Sequence, residues 1–208
     1  MKLRACFKHL KTILIHKFWV FHYCRKAGII WQGIIHDLSK FSPTEFFESV
    51  KYYTGTSSPI NECKKANGYS EAWLHHRGRN KHHYEYWTDN YDSGVTAVDM
   101  PFKYQLEMLC DYLGASRAYQ KKPFSIDNEI KWWDSKKDHA KSMSIKTKTF
   151  IDIALYLIKT DESLLNYNCM KQLYLLINVY KIYDYYWAYM YRRIFLKNIV
   201  LTYLKYYK

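Results

Sequence analysis

The stretch GIIHDLSKFSPTEF, residues 33–46, ends an apolar run with an adjacent histidine and aspartate, His36 and Asp37, followed three residues later by Lys40. Neither an imidazole nor a carboxylate is stable in an apolar environment unless it is paired or binds a metal. The doublet stands where a buried helix is expected to end. The stretch therefore predicts a polar site at a helix terminus, with partners elsewhere in the chain.

A new helix is predicted directly after this doublet, in the segment SPTEFFESVKYYTG. Ser42 can cap it, Pro43 suits its first position, and Glu45 completes a capping box. Gly55 follows its end.

The rest of the chain is also expected to be helical. Gly and Pro are scarce, at 7 and 4, and apolar residues recur at spacings of three and four. We predict helices over residues 3–27, 30–38 and 103–120, and a loop over residues 56–68. The segment 69–87 is predicted to be a helix or a helix pair broken near Gly78, and strands to be incidental. The fold class is therefore all-α.

The composition changes near residue 148, which divides the chain into a domain of residues 1–148 and a helical extension of residues 149–208. The extension is rich in Tyr and Lys and carries 12 of the 22 tyrosines. Its final stretch, residues 181–208, is expected to form a helix with a broad aromatic face. Such a face favours packing or homo-oligomer formation, and association with a membrane surface is the alternative.

The charge and the cysteines limit the class of protein. The 32 Lys and Arg against 19 Asp and Glu give a net charge of +13, which favours phosphorylated or polyanionic partners. The five cysteines are scattered without a CxxC pair, so neither a disulfide framework nor a thiolate zinc site is indicated. Without a signal peptide or about 18 consecutive apolar residues, the sequence predicts no transmembrane segment and a cytoplasmic protein.

Two further residues could complete a site around the His36 and Asp37 doublet. His16 and Asp111 are both polar residues in otherwise apolar predicted helices. Two imidazoles and two carboxylates from three helices suit one divalent ion, such as Mn, Fe, Co, Ni, Zn or Mg, with coordination sites left for water and substrate. Such an open site indicates catalysis rather than a structural role.

Four of the nine histidines, His75, His76, His82 and His83, fall within nine residues of sequence. A second metal or a phosphate pocket would explain this clustering, and the spacing alone does not select among the four. The alternatives are structural: a hydrogen-bonded core histidine, a helix cap at the doublet, a solvated histidine face, or pairing of Asp111 with a nearby cation.

The order of these residues resembles that of the HD superfamily of metal-dependent phosphohydrolases. More closely, HKFWVF, IHDLSKFSPTEF, AWLHHRGRNKHHYEYW and MPFKYQLEMLCDYLGASRAY resemble the motifs of a bacterial and phage family of unknown function, over about residues 10–148. The resemblance implies an HD-domain-like helical bundle. It implies one set of ligands for a first metal: His16, His36, Asp37 and Asp111. The histidine block would hold a second metal or contact substrate.

The expected function is hydrolysis of a nucleotide or other small phosphoester by metal-activated water. Lys40, with Arg77 or Arg79, would neutralise charge on the phosphoryl group, and Asp37 would orient the water if it bridges two metals. His76, His82 and His83 are the candidate general acids. The alternatives are an HD-type diiron oxygenase, since some members with this ligand set are oxygenases, a basic nucleic-acid-binding protein, and a host-interaction protein with a non-catalytic metal site.

Overall fold

The computed structural model describes residues 3–55, 57–119, 124–179, 181–182 and 193–206. Within these ranges the chain is almost entirely helical, which confirms the all-α prediction. The α-helices are α1 (Leu3–Lys26), α2 (Ile30–Ile35), α3 (Pro43–Lys51), α4 (Pro59–Asn67), α5 (Glu71–Arg79), α6 (Phe102–Tyr119), α7 (Ile126–Lys136), α8 (Ile145–Thr160), α9 (Tyr167–Asn178) and α10 (Arg193–Lys205). Strands β1 (Thr88–Tyr91) and β2 (Gly94–Ala97) form an antiparallel hairpin.

The long helices α1 and α6 pack against each other and form the centre of the bundle. Their crossing is close, because a Cβ atom on Gly114 of α6 would lie 2.5 Å from Val20 Cγ2 and 2.8 Å from the Val20 backbone nitrogen on α1. Only glycine fits at such a crossing without moving a helix. Gly114 therefore sets the separation of the two helices that carry His16 and Asp111.

The turn between α2 and α3 is tighter than the sequence indicated. Helix α2 ends at Ile35 rather than at about residue 38, and a 3-10 turn covers Leu38–Phe41. Asp37 lies between them with φ 54°, in the left-handed region. This conformation is uncommon for residues other than glycine but is tolerated best by Asn and Asp. The break in the helix places His36 and Asp37 at a corner of the backbone.

The start of α3 confirms part of the predicted capping box. Ser42 is the N-cap, Pro43 takes the first position, and the Ser42 side chain accepts a hydrogen bond from the Glu45 backbone nitrogen. The Glu45 carboxylate, however, accepts hydrogen bonds from His75 and His76 instead of returning to the cap. Two imidazole donors compete better for a buried carboxylate than one backbone N–H.

Two local predictions around the histidine block are settled by the structure. The predicted loop over residues 56–68 is wrong, since α4 occupies most of it, with Pro59 in its first turn and Gly68 closing it at φ 80°. Helix α5 continues through Gly78 and ends at Arg79, one residue beyond the predicted break. His82 and His83 follow outside the helix, so the two histidine pairs fold onto each other.

The C-terminal part contributes to the same core cluster as α1 and α6. Helix α8 spans residue 148, and Phe150, Ile153 and Leu157 on it are fully buried. The division into two domains at residue 148 stays a prediction. Of the expected aromatic helix over residues 181–208, the structure describes α10, and residues 183–192 lie outside the described part of the chain. No described helix is long and apolar enough to cross a membrane.

Candidate metal centre

Three elements bring the first four candidate ligands together. His16 comes from α1, Asp111 from α6, and His36 with Asp37 from the corner after α2. Helix α2 approaches α1 closely, because a Cβ on Gly33 would lie 2.8 Å from Cys24 Cβ. The packing of these helices therefore places four polar side chains at one buried point.

The four ligand atoms of this group, His16 Nε2, His36 Nε2, Asp37 Oδ2 and Asp111 Oδ1, lie close to one another. His16 Nε2 lies 3.4 Å from Asp37 Oδ2 and 3.2 Å from Asp111 Oδ1. His36 Nε2 lies 3.3 Å and 3.5 Å from the same two oxygens, and 3.4 Å from His16 Nε2. All four residues are buried. The set implied by the family resemblance thus converges in space.

A second group forms on the other side of Asp37. The Nε2 atoms of His76 and His82 each lie 3.4 Å from Asp37 Oδ1. His83 Nε2 lies 2.9 Å from His76 Nε2. Donor atoms of these four residues, Asp37 included, lie within 4.8 Å of one another. Of the histidine block, the structure therefore selects His76, His82 and His83 for this group.

Asp37 belongs to both groups through different atoms. Its Oδ2 faces His16 and His36, whereas its Oδ1 faces His76 and His82. The left-handed backbone at Asp37 aims the carboxylate between them, and such strained conformations concentrate at functional sites. Lys40 Nζ lies 2.5 Å from Oδ2 and forms an ion pair with this carboxylate.

Two glutamates orient the histidine rings from behind. Glu107 Oε1 on α6 accepts from Nδ1 of both His36 and His82, each at 3.1 Å. Glu45 Oε2 accepts from His76 Nδ1 at 2.7 Å. A carboxylate on Nδ1 holds a proton there, so Nε2 is the nitrogen that can give up its proton and bind a metal. The Nε2 atoms of all three rings therefore point at Asp37 as potential ligand atoms.

The electrostatics of the cluster are those of ionised carboxylates among imidazoles. Burial alone would raise the pKa of Asp37, but the charges of His36, Lys40 and His76 hold it well below its usual range. Burial would also raise the pKa of Asp111, but hydrogen bonds from His16 and His36 hold it well below its usual range. Both carboxylates are thus in the form that binds a cation.

The donor atoms of the two groups are spaced so that they could hold a metal ion. Ligand atoms bound to one ion at 2.0–2.1 Å and at angles of 90–110° lie roughly 2.8–3.4 Å apart, close to the separations of the donor atoms in the two groups. Asp37 Oδ1 and His82 Nε2 are buried and have no hydrogen-bond partner among the described residues. Buried polar atoms without partners are costly unless an ion or water satisfies them. The clusters of His and Asp could therefore hold metal.

The remaining candidate residues lie at the edge of this centre. His75 binds Glu45 Oε1 at 2.6 Å and belongs to neither group of potential ligands. Arg77 is half-buried and Arg79 is exposed, both in the last turn of α5. Their expected roles in metal binding or charge neutralisation stay predictions, as does that of Lys40.

The sequence analysis missed Glu107 and misassigned the side chain of Glu45. Glu107 precedes Asp111 by four residues on α6, so the two share one helix face. This spacing was a usable signal, because a second carboxylate one turn from a candidate ligand is placed to support its neighbours. Glu45 gave no comparable signal, since its fit to a capping box explained it completely.

Comparison with known proteins adds a family assignment. No curated protein and no solved structure shows a significant match to the chain. A family model described as a family of unknown function, DUF5662, matches residues 5–156. The match includes the whole candidate metal centre and nearly three quarters of the chain. The chain therefore belongs to the DUF5662 family.

Proposed function

We propose that the protein is a metal-dependent phosphohydrolase with an HD-like dinuclear site, acting on a nucleotide or other small phosphoester. The observation that carries the proposal is the placement of Asp37, whose two carboxylate oxygens face two separate groups of imidazole nitrogens, each at 3.3–3.4 Å. A carboxylate in this position can bridge two ions. Bound divalent ions would polarise a phosphoryl oxygen and lower the pKa of a coordinated water to near neutrality.

The chain's own residues support this chemistry by holding charge and orientation. Glu107 and Glu45 keep the Nδ1 protons of His36, His82 and His76 in place, so that the Nε2 atoms remain available. Burial keeps bulk solvent away from the cluster and so strengthens the electrostatic interactions within it. The site is therefore preorganised before any substrate binds.

Lys40 is placed to stabilise charge on a phosphoryl group. Its ammonium group is fixed next to Asp37 by an ion pair across three residues, and its side chain is 23% exposed. A cation that reaches from the buried carboxylate towards solvent can contact an anionic substrate at the same point. The net charge of +13 favours approach of such a substrate.

The test is phosphate release by the full-length chain loaded with Mn²⁺, measured on a panel of phosphomonoesters, phosphodiesters and nucleotides. Asp37→Asn should abolish release. Lys40→Met should lower kcat about 100-fold, the usual effect of removing one preorganised donor, with unchanged metal content. Lys65→Met is a matched control, because Lys65 also pairs with an acid three residues earlier, Glu62, but on the surface of α4.

The proposal fails if the metal-loaded chain releases no phosphate from any substrate in the panel. Oxygen consumption by the iron-loaded chain under the same conditions would instead support the oxygenase, which would use the same ligands. Running the assay with and without oxygen separates the two reactions, because hydrolysis consumes no oxidant.

A further inference from the structure

A cavity of about 420 Å³ lies beside the candidate metal centre. His83 lines this cavity and also belongs to the second group of potential ligands. The cavity therefore shares His83 with the second group of potential ligands. A substrate whose phosphate reaches the metals would extend its other end into this space.

Aromatic rings form the walls of the cavity. Trp73 stands on the α5 side, with its ring 5.1 Å from that of His83. Tyr112 and Trp132 stand on the α6 and α7 side, with ring centroids 5.1 Å apart. Trp132 is 43% exposed, so its ring is accessible to a ligand that enters from solvent. Such walls are suited to stacking a planar ring.

One carboxylate interrupts these aromatic walls. Glu85 lines the cavity, and its Oε2 is buried and has no hydrogen-bond partner in the part of the chain that the structure describes. A buried acceptor without a partner is costly, so a ligand that donates an N–H group to it gains that free energy on binding.

The outer part of the cavity is basic. Lys136 and His139 line it and are exposed at the end of α7 and in the turn beyond. A lysine at the rim, aromatic walls and one acceptor inside match a nucleotide, because its base offers both a π-face for stacking and an edge with hydrogen-bond donors.

We infer that this cavity binds a nucleobase that carries an exocyclic amino group, stacked between the aromatic walls with the amino group donating to Glu85. The inference rests on the proposed function, since it assigns the substrate of the same centre. A carboxylate accepts from amino groups such as N4 of cytosine and repels a carbonyl oxygen in the same position. The cavity therefore discriminates amino bases from their keto counterparts.

The test uses nucleosides, which carry no phosphoester and so report on the cavity without turnover. Cytidine, uridine, adenosine, inosine and free ribose are titrated into the full-length Mn²⁺-loaded chain by isothermal calorimetry. We expect the amino member of at least one pair, cytidine over uridine or adenosine over inosine, to bind about 10-fold more tightly, and ribose not to bind. The preference should disappear in Glu85→Gln.

The walls are tested separately from the acceptor. Trp132→Ala should weaken both members of the preferred pair about 10-fold, the usual effect of losing one stacking ring. Trp31→Ala is the matched control, because Trp31 is an exposed tryptophan on α2 that does not line the cavity. Glu71→Gln, at an exposed glutamate on α5, controls for the loss of one negative charge.

The outcomes for the cavity and for the proposed hydrolysis are distinct. Binding of amino nucleosides without phosphate release from any ester supports the cavity and overturns the hydrolase. Phosphate release with equal rates for ribose 5-phosphate and nucleotides, and no nucleoside binding, overturns the cavity inference and leaves the hydrolase standing. Equal binding of amino and keto nucleosides removes the role of Glu85 and overturns the inference as stated.

Discussion

Substitution of Gly114 by alanine tests how the packing of α1 against α6 forms the centre. The new Cβ would lie 2.5 Å from Val20 Cγ2, 2.8 Å from the Val20 backbone nitrogen and 3.0 Å from its Cα. Carbon atoms normally approach to about 3.5–4.0 Å, so the two helices must separate by about 1 Å. Backbone atoms cannot relieve this overlap by rotating a side chain.

The change in the free energy of unfolding caused by Gly114→Ala is the sum of two opposing effects. Overpacking a core contact costs about 1–3 kcal/mol, and alanine regains up to about 1 kcal/mol over glycine inside a helix. We expect a net loss of roughly 1–2 kcal/mol, or a Tm lower by about 2–8 °C for a chain of this size. The separation also moves His16 away from Asp111, now 3.2 Å apart, so the affinity for metal should fall about 10-fold, as when an orienting partner is lost.

Gly78→Ala is the matched control, since a Cβ there meets no atom within 4 Å and the residue also lies inside a helix. It should raise the Tm slightly and leave metal affinity unchanged. Both variants are measured by thermal unfolding followed by circular dichroism and by metal titration. A Gly114→Ala variant with the Tm and metal affinity of the wild type would refute the argument that this crossing positions the ligands.

Three further predictions concern buried polar groups. Glu107→Gln should reduce metal affinity about 10–100-fold with helicity retained, because two imidazoles lose a charged acceptor, and unchanged affinity in a competitive chelator titration would contradict this. Burial and the negative charge of Asp111 raise the pKa of Glu129 to about 7. Because the folded state binds this proton more tightly than the unfolded state, the stabilisation is complete below about pH 4.5 and is lost as the pH rises through 7. Wild type should therefore lose roughly 1–3 kcal/mol between pH 5 and 8 relative to Glu129→Gln in urea unfolding, and parallel pH profiles would exclude the effect. Trp133→Phe removes the donor 3.1 Å from buried Asp152 and should cost about 1–3 kcal/mol, a prediction that fails if the urea midpoint does not move.

Much of the fold could be predicted because the local signals agree with the tertiary structure. Helix α1 and the start of α3 have the predicted bounds, since Gly28 at φ 76° and the Ser42 cap act through the nearby backbone alone. Helix α4 was missed because its sequence is polar and is stabilised by a proline start and a glycine end rather than by an apolar stripe. Periodicity does not detect such helices.

The candidate site also contains some residues that a local sequence pattern indicates and others that depend on the tertiary fold. His16, the doublet and Asp111 were identified because each is polar in an apolar segment, a contrast visible along the sequence. The choice of His76, His82 and His83 over His75 depends on where α5 ends and how the following turn folds, and neither spacing nor composition determines this. The contribution of Glu85 depends on a cavity between distant elements, which no local pattern shows.

Metal stoichiometry shows whether Asp37 is shared by two metal positions, as we propose. Full-length protein purified without chelator or an affinity-tag metal is loaded with Mn²⁺ or Fe²⁺ under reducing conditions, desalted and analysed for elements. We predict two equivalents in wild type, about one in Asp111→Asn, which removes a potential ligand of the first group, and none retained in Asp37→Asn. Asp99→Asn, at a surface ion pair with Lys146, should match the wild type. Absence of metal from loaded wild type, or full occupancy in Asp37→Asn, would contradict the account.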